Sequence, residues 1–290
     1  MLEAVPNVSE GRDAAAVEEI GRAFATSAAL LDVHSDADHH RSVFTLAGAL
    51  EPLVDSLLAG IARAVELVDL RSHDGVHPRV GAADVVPLVP LVPEDMEKAK
   101  TAAICVAERV ALELGLPVFL YGEVGGGRRP AFYRRGGLVE LRRRIASGEL
   151  EPDAGPGTLD ARAGAVLVGA RRPLVAYNID LATDDVGIAR EIAAAVRESG
   201  GGMPGVQAIG LYLPRSGRVQ VSMNVLDLER SPLHEVVGRV VAEAAARGVA
   251  VEGGELVGLV PKRAAAAAMA AGAVLPGIDE TRVLEQALRL

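Results

Sequence analysis

Aromatic side chains and lysine are scarce in this sequence. It has no tryptophan, four tyrosines and four phenylalanines among 290 residues, although 50% of its residues are hydrophobic. The core must therefore be built from alanine, valine, leucine and isoleucine, and the chain is long enough for one or two domains. Only three of the thirty basic residues are lysine: Lys98, Lys100 and Lys262. Because codon composition alone can produce such a bias, abundant arginine does not by itself indicate anion binding.

What is missing also excludes several classes of protein. The net charge is −9, and no Lys/Arg cluster is interleaved with aromatic residues, so we expect no nucleic-acid partner. The single cysteine, Cys105, can form no intrachain disulfide, which fits a reducing cytoplasm. The N-terminal stretch lacks the basic and apolar regions of a signal peptide. The longest apolar run, residues 264–275, is too short to span a bilayer. We expect a cytoplasmic protein without a membrane partner.

The hydrophobic pattern divides the chain into two similar halves. In the first half the pattern predicts a strand (2–11), a helix (13–28), a hairpin (29–48) and a second helix (50–67). An extended Pro-rich stretch (85–93), a helix (94–115) and a short strand (117–123) follow. In the second half the pattern predicts a strand (174–181) and a helix (185–199) that is capped by Asp184 or Asp185. A hairpin with the turn PRSG (206–228), a helix (232–247) and a strand (249–261) follow.

Both halves therefore contain the order β-α-β-β-α-β. This order predicts an α+β fold, a tandem duplication of two ferredoxin-like subdomains with helices on one face of each sheet. Two sheets covered on one side only are expected to face each other across a central cleft. The Gly/Pro-rich segment 125–165 predicts the linker. We expect residues 1–168 to form the N-terminal subdomain and residues 169–290 the C-terminal one.

Titratable groups are concentrated in the first half. A histidine in a turn is usually only solvated. Here, however, the predicted hairpin turn and the segment RSHDGVHPRVGAADVVP, residues 71–87, both lie at strand ends of one small sheet. Pro78 also restricts the backbone next to a histidine. The pattern favours a functional site containing five of the six histidines: His34, His39, His40, His73 and His77.

Two kinds of chemistry fit such a cluster. His73 and His77 are four residues apart, which on a helix would direct both at one metal ion. The glycine between them and the proline after them oppose a helix, however, and no HExxH or CxxC motif is present. Acid–base catalysis by one histidine fits better, because Arg41 and Arg79 flank histidines and can bind a carboxylate bidentately. We therefore expect no metal.

Several stretches, in order along nearly the whole chain, resemble the glutamate formimidoyltransferase family. They are AVPNVSEGRD, LLDVHSDADHHRSVFTLAG, HDGVHPRVGAADVVPLVP, LGLPVFLYGE, PDAGP, AGAVLVGARRPLVAYNIDL, VQVSMNVLDLE and ELVGLVP. The family transfers a formimino group from N-formimino-L-glutamate to N5 of tetrahydrofolate during histidine degradation. Its fold has two ferredoxin-like subdomains around a substrate cleft, in agreement with the predicted duplication. Some members continue into a cyclodeaminase domain, which we do not expect in these 290 residues.

The resemblance implies roles for individual residues. The family's catalytic histidine lies in an HPR motif and corresponds to His77, which is expected to act as general acid and base. We expect substrate contacts from His34, His40, Arg41 and Arg79. Formiminoglutamate and tetrahydrofolate are the expected small-molecule substrates, and a homodimer is a candidate assembly. The family's folate-binding stretch corresponds to Gly155, Pro156, Gly157, Thr158, Leu159, Asp160, Ala161, Arg162, Ala163 and Gly164.

Two alternatives remain open from the sequence. A related enzyme on the same fold would use formylglutamate as the donor, or would cyclise 5-formyltetrahydrofolate with the help of a nucleotide. A protein of another class would bind such ligands without catalysis, since ferredoxin-like repeats also serve as sensors and fold does not fix function. The intact HPR loop speaks against this second alternative.

Overall fold

The computed structural model describes residues 1–289. It separates into two compact units, Met1–Arg172 and a second unit that begins at Pro173. This division falls four residues beyond the expected boundary at 168/169. The last strand of the first unit, Val166–Ala170, explains the difference, because it is hydrogen-bonded within the first sheet on both of its edges.

The first unit contains seven strands and five α-helices. In chain order they are β1 (Leu2–Ala4), β2 (Asn7–Val8), α1 (Ala14–Phe24), β3 (Ala29–Asp36), β4 (Arg41–Gly48), α2 (Leu50–Leu67), β5 (Ala83–Pro90), α3 (Met96–Leu114), β6 (Val118–Gly122), α4 (Pro130–Arg134), α5 (Gly137–Ala146) and β7 (Val166–Ala170). Short 3₁₀ turns lie at Leu70–Ser72 and Pro93–Asp95.

The seven strands form one sheet. The order across the sheet is β3, β4, then β1 and β2, then β5, β7 and β6. β1 and β2 lie one after the other between β4 and β5 and pair with both. The pairs from β3 to β5 are antiparallel, whereas β5, β7 and β6 are parallel. β1 and β2 act as one strand interrupted at Pro6, whose carbonyl still accepts a hydrogen bond from Phe44 N at 3.0 Å. The Pro-rich stretch predicted as extended is therefore a central strand, β5, buried at all eight positions.

The core of the first unit lies on both faces of this sheet. On one face α1, α2 and α3 pack around Phe24, Phe44 and Ile61, which are fully buried. Asp13 caps helix α1, because its carboxylate accepts from Ala15 N and Ala16 N. On the other face a smaller cluster joins β5, β6 and β7 to α4 and α5. The expectation of helices on one face alone is thus wrong for this part of the sheet.

Two features of the first unit differ from the predicted β-α-β-β-α-β order. The predicted helix α3 and strand β6 are present, but β6 joins the sheet through β7, which the sequence pattern does not predict, so that two parallel strands extend the sheet beyond β5. Helices α4 and α5 form inside the segment 125–165 that composition predicts as linker. The glycines and prolines of that segment mark its turns, whereas residues 137–146 have an amphipathic helical pattern that buries Leu141.

The second unit contains a four-stranded antiparallel sheet. Its elements are β8 (Val175–Leu181), α6 (Val186–Val196), β9 (Val206–Leu213), β10 (Arg218–Val225), α7 (Leu233–Ala246), β11 (Val251–Val257), α8 (Lys262–Ala270) and α9 (Leu284–Ala287). The strand order is β11, β8, β10, β9. The predicted cap of α6 is confirmed, since Asp185 accepts from Gly187 N at 2.7 Å. In the part of the chain that the structure describes, no helix is long and apolar enough to cross a membrane.

Candidate active site

Two loops of the first unit meet near the start of β4. One is the hairpin turn between β3 and β4, and the other, which we call the HPR loop, covers residues 73–82 before β5. Val76 N donates to Asp38 O at 3.2 Å. The rings of His39 and His77 lie 5.9 Å apart, and those of His40 and His73 are stacked at 4.0 Å. The turn and the loop therefore bring four of the five histidines together: His39, His40, His73 and His77.

His77 lies half-buried in this cluster. Its Nε2 atom is 2.8 Å from Nη1 of Arg41. Since a guanidinium only donates hydrogen bonds, Nε2 accepts, and the proton of the neutral ring lies on Nδ1. Burial, followed by the positive charges of Arg41 and Arg134, lowers the pKa of His77 well below 6.5. The ring is therefore neutral at neutral pH, with its Nε2 lone pair directed at a cation.

Arg79 joins the two loops through its guanidinium group. Its Nη2 donates to His39 O at 2.7 Å and to His77 O at 2.8 Å, and its Nη1 donates to His40 O at 2.9 Å. Nη1 also lies 2.6 Å from His73 Nε2. All of these partners of Arg79 are groups of the hairpin turn or of the HPR loop. Arg79 therefore links the hairpin turn to the HPR loop and sets the distance between them.

The stacked pair of His40 and His73 forms the outer wall of the cluster. His40 has a left-handed backbone, with φ of 47°, and its Nδ1 accepts from Gly11 N at 3.2 Å. Burial lowers the pKa of His40, although Glu10 opposes this effect. Burial and the charge of Arg79 lower the pKa of His73 to about 4. Both rings are thus neutral at neutral pH.

A buried ion pair lies behind the HPR loop. The carboxylate of Asp84 is only 2% exposed; its Oδ1 accepts from Val80 N at 2.6 Å and from Gly81 N at 3.3 Å. Its other oxygen is paired with Arg134 at the end of α4. Burial raises the pKa of the nearby Tyr121 to about 12. Sequence reasoning missed Arg134, which lies fifty residues from its partner in a segment interpreted as linker.

The predicted folate-binding stretch ends beside the HPR loop. Ala82 N donates to Ala163 O at 2.8 Å, and Ala165 N donates to Val80 O at 2.9 Å. Gly164 has φ of 73°, and a Cβ there would lie 2.1 Å from Val80 O. Residues 155–158 and 160–162 are exposed, whereas Ala163 and Gly164 are buried. The stretch thus has an exposed part and an anchored end.

His34 lies on a strand and not in either of the two loops. It is half-buried on β3 and pairs with Val43, while Asp36 pairs with Arg41 two residues further on. Because side chains alternate along a strand, His34 and Arg41 share one face of the sheet. Val33 and Ser35 point to the other face, where they line a groove of about 450 Å³ between α1 and β3. That groove therefore opens on the opposite side of the sheet from His34.

Two of the ring nitrogens that a metal would need already face arginines. Nε2 of His73 lies next to Arg79, and Nε2 of His77 next to Arg41. Among residues 1–289, no three His, Cys, Asp or Glu side chains are arranged to hold a metal ion. The arrangement suits a neutral histidine that exchanges protons close to arginines.

Comparisons with known proteins cover both units. A model described as the formiminotransferase domain, N-terminal subdomain, matches residues 1–171, and a model described as the formiminotransferase domain matches residues 176–274. A glutamate formimidoyltransferase of Thermoplasma acidophilum is 38% identical over 99% of this chain and 96% of its own length. One of Streptococcus pyogenes is 37% identical over 91% of this chain and 90% of its own. A formimidoyltransferase-cyclodeaminase of Gallus gallus is 41% identical over 91% of this chain, which spans 51% of that longer protein.

Proposed function

We propose that this chain, which belongs to the formiminotransferase family, transfers a formimino group from N-formimino-L-glutamate to N5 of tetrahydrofolate. The products are 5-formiminotetrahydrofolate and glutamate. The observation that carries the proposal is the neutral, half-buried His77, whose Nε2 accepts from Arg41 at 2.8 Å. The relatives named glutamate formimidoyltransferase, matched over nearly their whole length, support the same reaction.

The reaction requires one proton to move between two nitrogens. N5 of tetrahydrofolate attacks the formimino carbon, and the new carbon–nitrogen bond gives a tetrahedral adduct. The bond from that carbon to the glutamate nitrogen then breaks, and this amine leaves once it is protonated. We propose that His77 takes the proton from N5 and delivers it to the leaving nitrogen. Such help typically accelerates a reaction by ~10²–10⁴-fold.

The environment of His77 favours the second half of this transfer. A histidine beside Arg41 and Arg134 is a weaker base than free imidazole, but once protonated it is a stronger acid. The imidazolium therefore readily releases its proton to the leaving amine. Nε2 can take up the proton only when the N–H of Arg41 turns away, and a substrate carboxylate bound to Arg41 would draw that donor off the ring.

The other predicted contacts are proposed in two groups. His34 shares a sheet face with Arg41 and is proposed to contact substrate there. His40 and Arg79, also predicted as substrate contacts, are proposed to act by holding the hairpin turn and the HPR loop in place, because their polar atoms are bonded to those loops and to Gly11. The exposed part of residues 155–162 is proposed to contact the folate.

We also propose that the two units are a tandem duplication of ferredoxin-like folds. Counted in chain order, the four strands of the second sheet lie in the order fourth, first, third, second. In the first sheet, β5, the interrupted strand β1–β2, β4 and β3 follow the same order. The additional strands β6 and β7 lie beyond β5, so they leave this shared arrangement intact.

One assay tests the proposed reaction. The purified chain is incubated with tetrahydrofolate and formiminoglutamate, and the folate absorbance is followed together with the release of free glutamate. We expect stoichiometric 5-formiminotetrahydrofolate and glutamate, with or without a chelator. If product forms from formylglutamate alone, the donor assigned here is wrong. Loss of activity on chelation, with recovery on adding zinc, would favour metal-assisted chemistry. If no product forms from either donor, the proposal is contradicted.

A further inference from the structure

Arg134 lies beside the proposed site, and the part described for it so far is to lower the pKa of His77. Its side chain is 15% exposed and pairs with the nearly inaccessible Asp84 through one terminal nitrogen. Its Nε is buried and makes no hydrogen bond within residues 1–289. A buried donor left unbonded is costly, so the guanidinium retains the capacity to bind a further acceptor.

Positive charge exceeds negative charge around this side chain. Arg134 is joined to the HPR loop through Asp84, whose Oδ1 already accepts from two backbone N–H groups of that loop, those of Val80 and Gly81. The charge of Arg134 also lowers the pKa values of Arg41, Arg79 and His77. Asp84 and Asp36 oppose these three arginines, whereas Asp74 is paired with Arg12. Burial, with Arg134 as the next cause, lowers the pKa of Arg41 to about 10. Partly buried guanidiniums in excess over carboxylates favour the binding of another anion.

The position of Arg41 determines which carboxylate fits. Arg41 contacts the ring that is proposed to serve the reacting nitrogen, so the bound carboxylate must lie close to the reacting carbon. In formiminoglutamate the α-carboxylate is two bonds from the nitrogen that carries the formimino group. In tetrahydrofolate a methylene and an aminobenzoyl group separate the glutamyl carboxylates from N5. The donor's α-carboxylate therefore meets the requirement and the folate tail does not.

We propose that Arg134, together with Arg41, forms a subsite for the α-carboxylate of the donor amino acid. The inference rests on the proposed function and adds a specificity-determining residue to it. A carboxylate held by both guanidiniums reduces the excess of positive charge and draws the Arg41 donor away from His77 Nε2, which leaves that nitrogen able to accept a proton. Donor binding and activation of the base are thereby coupled through one anion.

The test compares Arg134→Gln and Arg134→Lys with Arg142→Gln, a control at an exposed arginine on α5. The Michaelis constant is measured for the donor at saturating tetrahydrofolate, and for tetrahydrofolate at saturating donor. We expect Arg134→Gln to raise the donor constant by ~10-fold or more, Arg134→Lys to raise it less, and both variants to leave the folate constant within about twofold. An unchanged donor constant, or a rise in the folate constant instead, would overturn the proposal.

Equilibrium binding separates this inference from the proposed function. Calorimetry with L-glutamate and with γ-aminobutyrate, which lacks the α-carboxylate, needs no turnover. The wild type should bind L-glutamate at least ~10-fold more tightly than γ-aminobutyrate, and Arg134→Gln should lose that preference. If the wild type shows the preference but transfers no formimino group, the proposed function fails while the subsite stands. If the wild type has no preference, or if a folded Arg134→Lys or Arg134→Gln variant (checked by thermal melting) retains it in full, the subsite is rejected.

Discussion

At the scale of single residues, the state of His77 follows from its neighbours. An unperturbed histidine titrates near pH 6.5, and the sequence alone predicts a value close to that. In the structure, burial and the nearby arginines lower the pKa of His77. The sequence indicates the residue, but its protonation state depends on burial, on Arg41 and on Arg134. Neither the burial nor the position of Arg134, at the end of α4, can be predicted from spacing.

The first prediction concerns the titration of His77. In the wild type, its ring resonances should show no titration between about pH 6 and 8, because the folded pKa lies well below 6.5. Arg41→Gln removes the nearest cation and should raise that pKa towards the unperturbed value. NMR titration of the ring C–H, assigned with a His77→Ala variant, measures both effects. A wild-type midpoint at or above pH 6.5 would contradict this view of the site.

At the scale of elements, the site depends on the junction of two loops. The sequence predicts the hairpin, its turn and the helices α1, α2 and α3 because local periodicity encodes them. It does not predict β7 between β5 and β6, nor the placement of α4 over β6, because these contacts join residues far apart in the chain. The same reason explains why Arg79 is predicted as a substrate contact, although the structure shows it bonded to three carbonyls of the loops.

The second prediction therefore concerns Arg79. Arg79→Ala removes the donors for three carbonyls, so the two loops should separate and turnover should fall by ~10-fold or more. Arg79→Lys should restore little, because an ammonium cannot reproduce the planar fork. Hydrogen exchange over residues 36–41 and 73–80 should become faster in both variants. Arg71→Ala, at an exposed side chain paired with Asp69, is the control. Unchanged exchange together with a raised Michaelis constant would indicate a direct substrate contact instead.

The third prediction concerns the anchored end of the folate stretch. Gly164 has φ of 73°, and an added Cβ would lie 2.1 Å from Val80 O, directly behind the HPR loop. Gly164→Ala should therefore lower the free energy of unfolding by about 2 kcal/mol or more. Gly157→Ala, in the same stretch with nothing within 4 Å of the added atom, should change it little. Equal stability of the two variants in urea unfolding would contradict the anchoring.

At the scale of the whole molecule, the histidine cluster makes stability depend on pH. The folded pKa values of His40, His73 and His77 are all lowered from 6.5. Below pH 6.5 the unfolded chain binds protons that the folded chain does not. The stability contributed by these neutral rings is therefore fully present above pH 6.5 and decreases as the pH falls towards about 4, the folded value of His73.

The fourth prediction is a fall in melting temperature between pH 7 and pH 5. We expect a decrease of roughly 3 °C or more. Carboxylates with lowered pKa values, such as Asp69 and Asp74, reduce the stability of the protein only when the pH falls below their ordinary pKa of 3.8. They therefore do not contribute to the decrease between pH 7 and pH 5. His73→Gln should reduce the decrease, because it removes one of the three rings with a lowered pKa. A melting temperature independent of pH across this window would mean that these rings titrate in the folded protein as they do in the unfolded chain.

The central claim is that His77 transfers the proton, and the turnover of His77→Ala tests it most directly. We measure turnover at saturating formiminoglutamate and tetrahydrofolate for His77→Ala, His73→Ala and His234→Ala. His77→Ala should lose ~10²-fold or more in turnover with much smaller changes in substrate affinity, because a general acid–base acts mainly in the transition state. His73→Ala should lose much less, and His234→Ala should match the wild type. Turnover of His77→Ala close to that of the wild type would contradict the mechanism, even if the variant still bound both substrates.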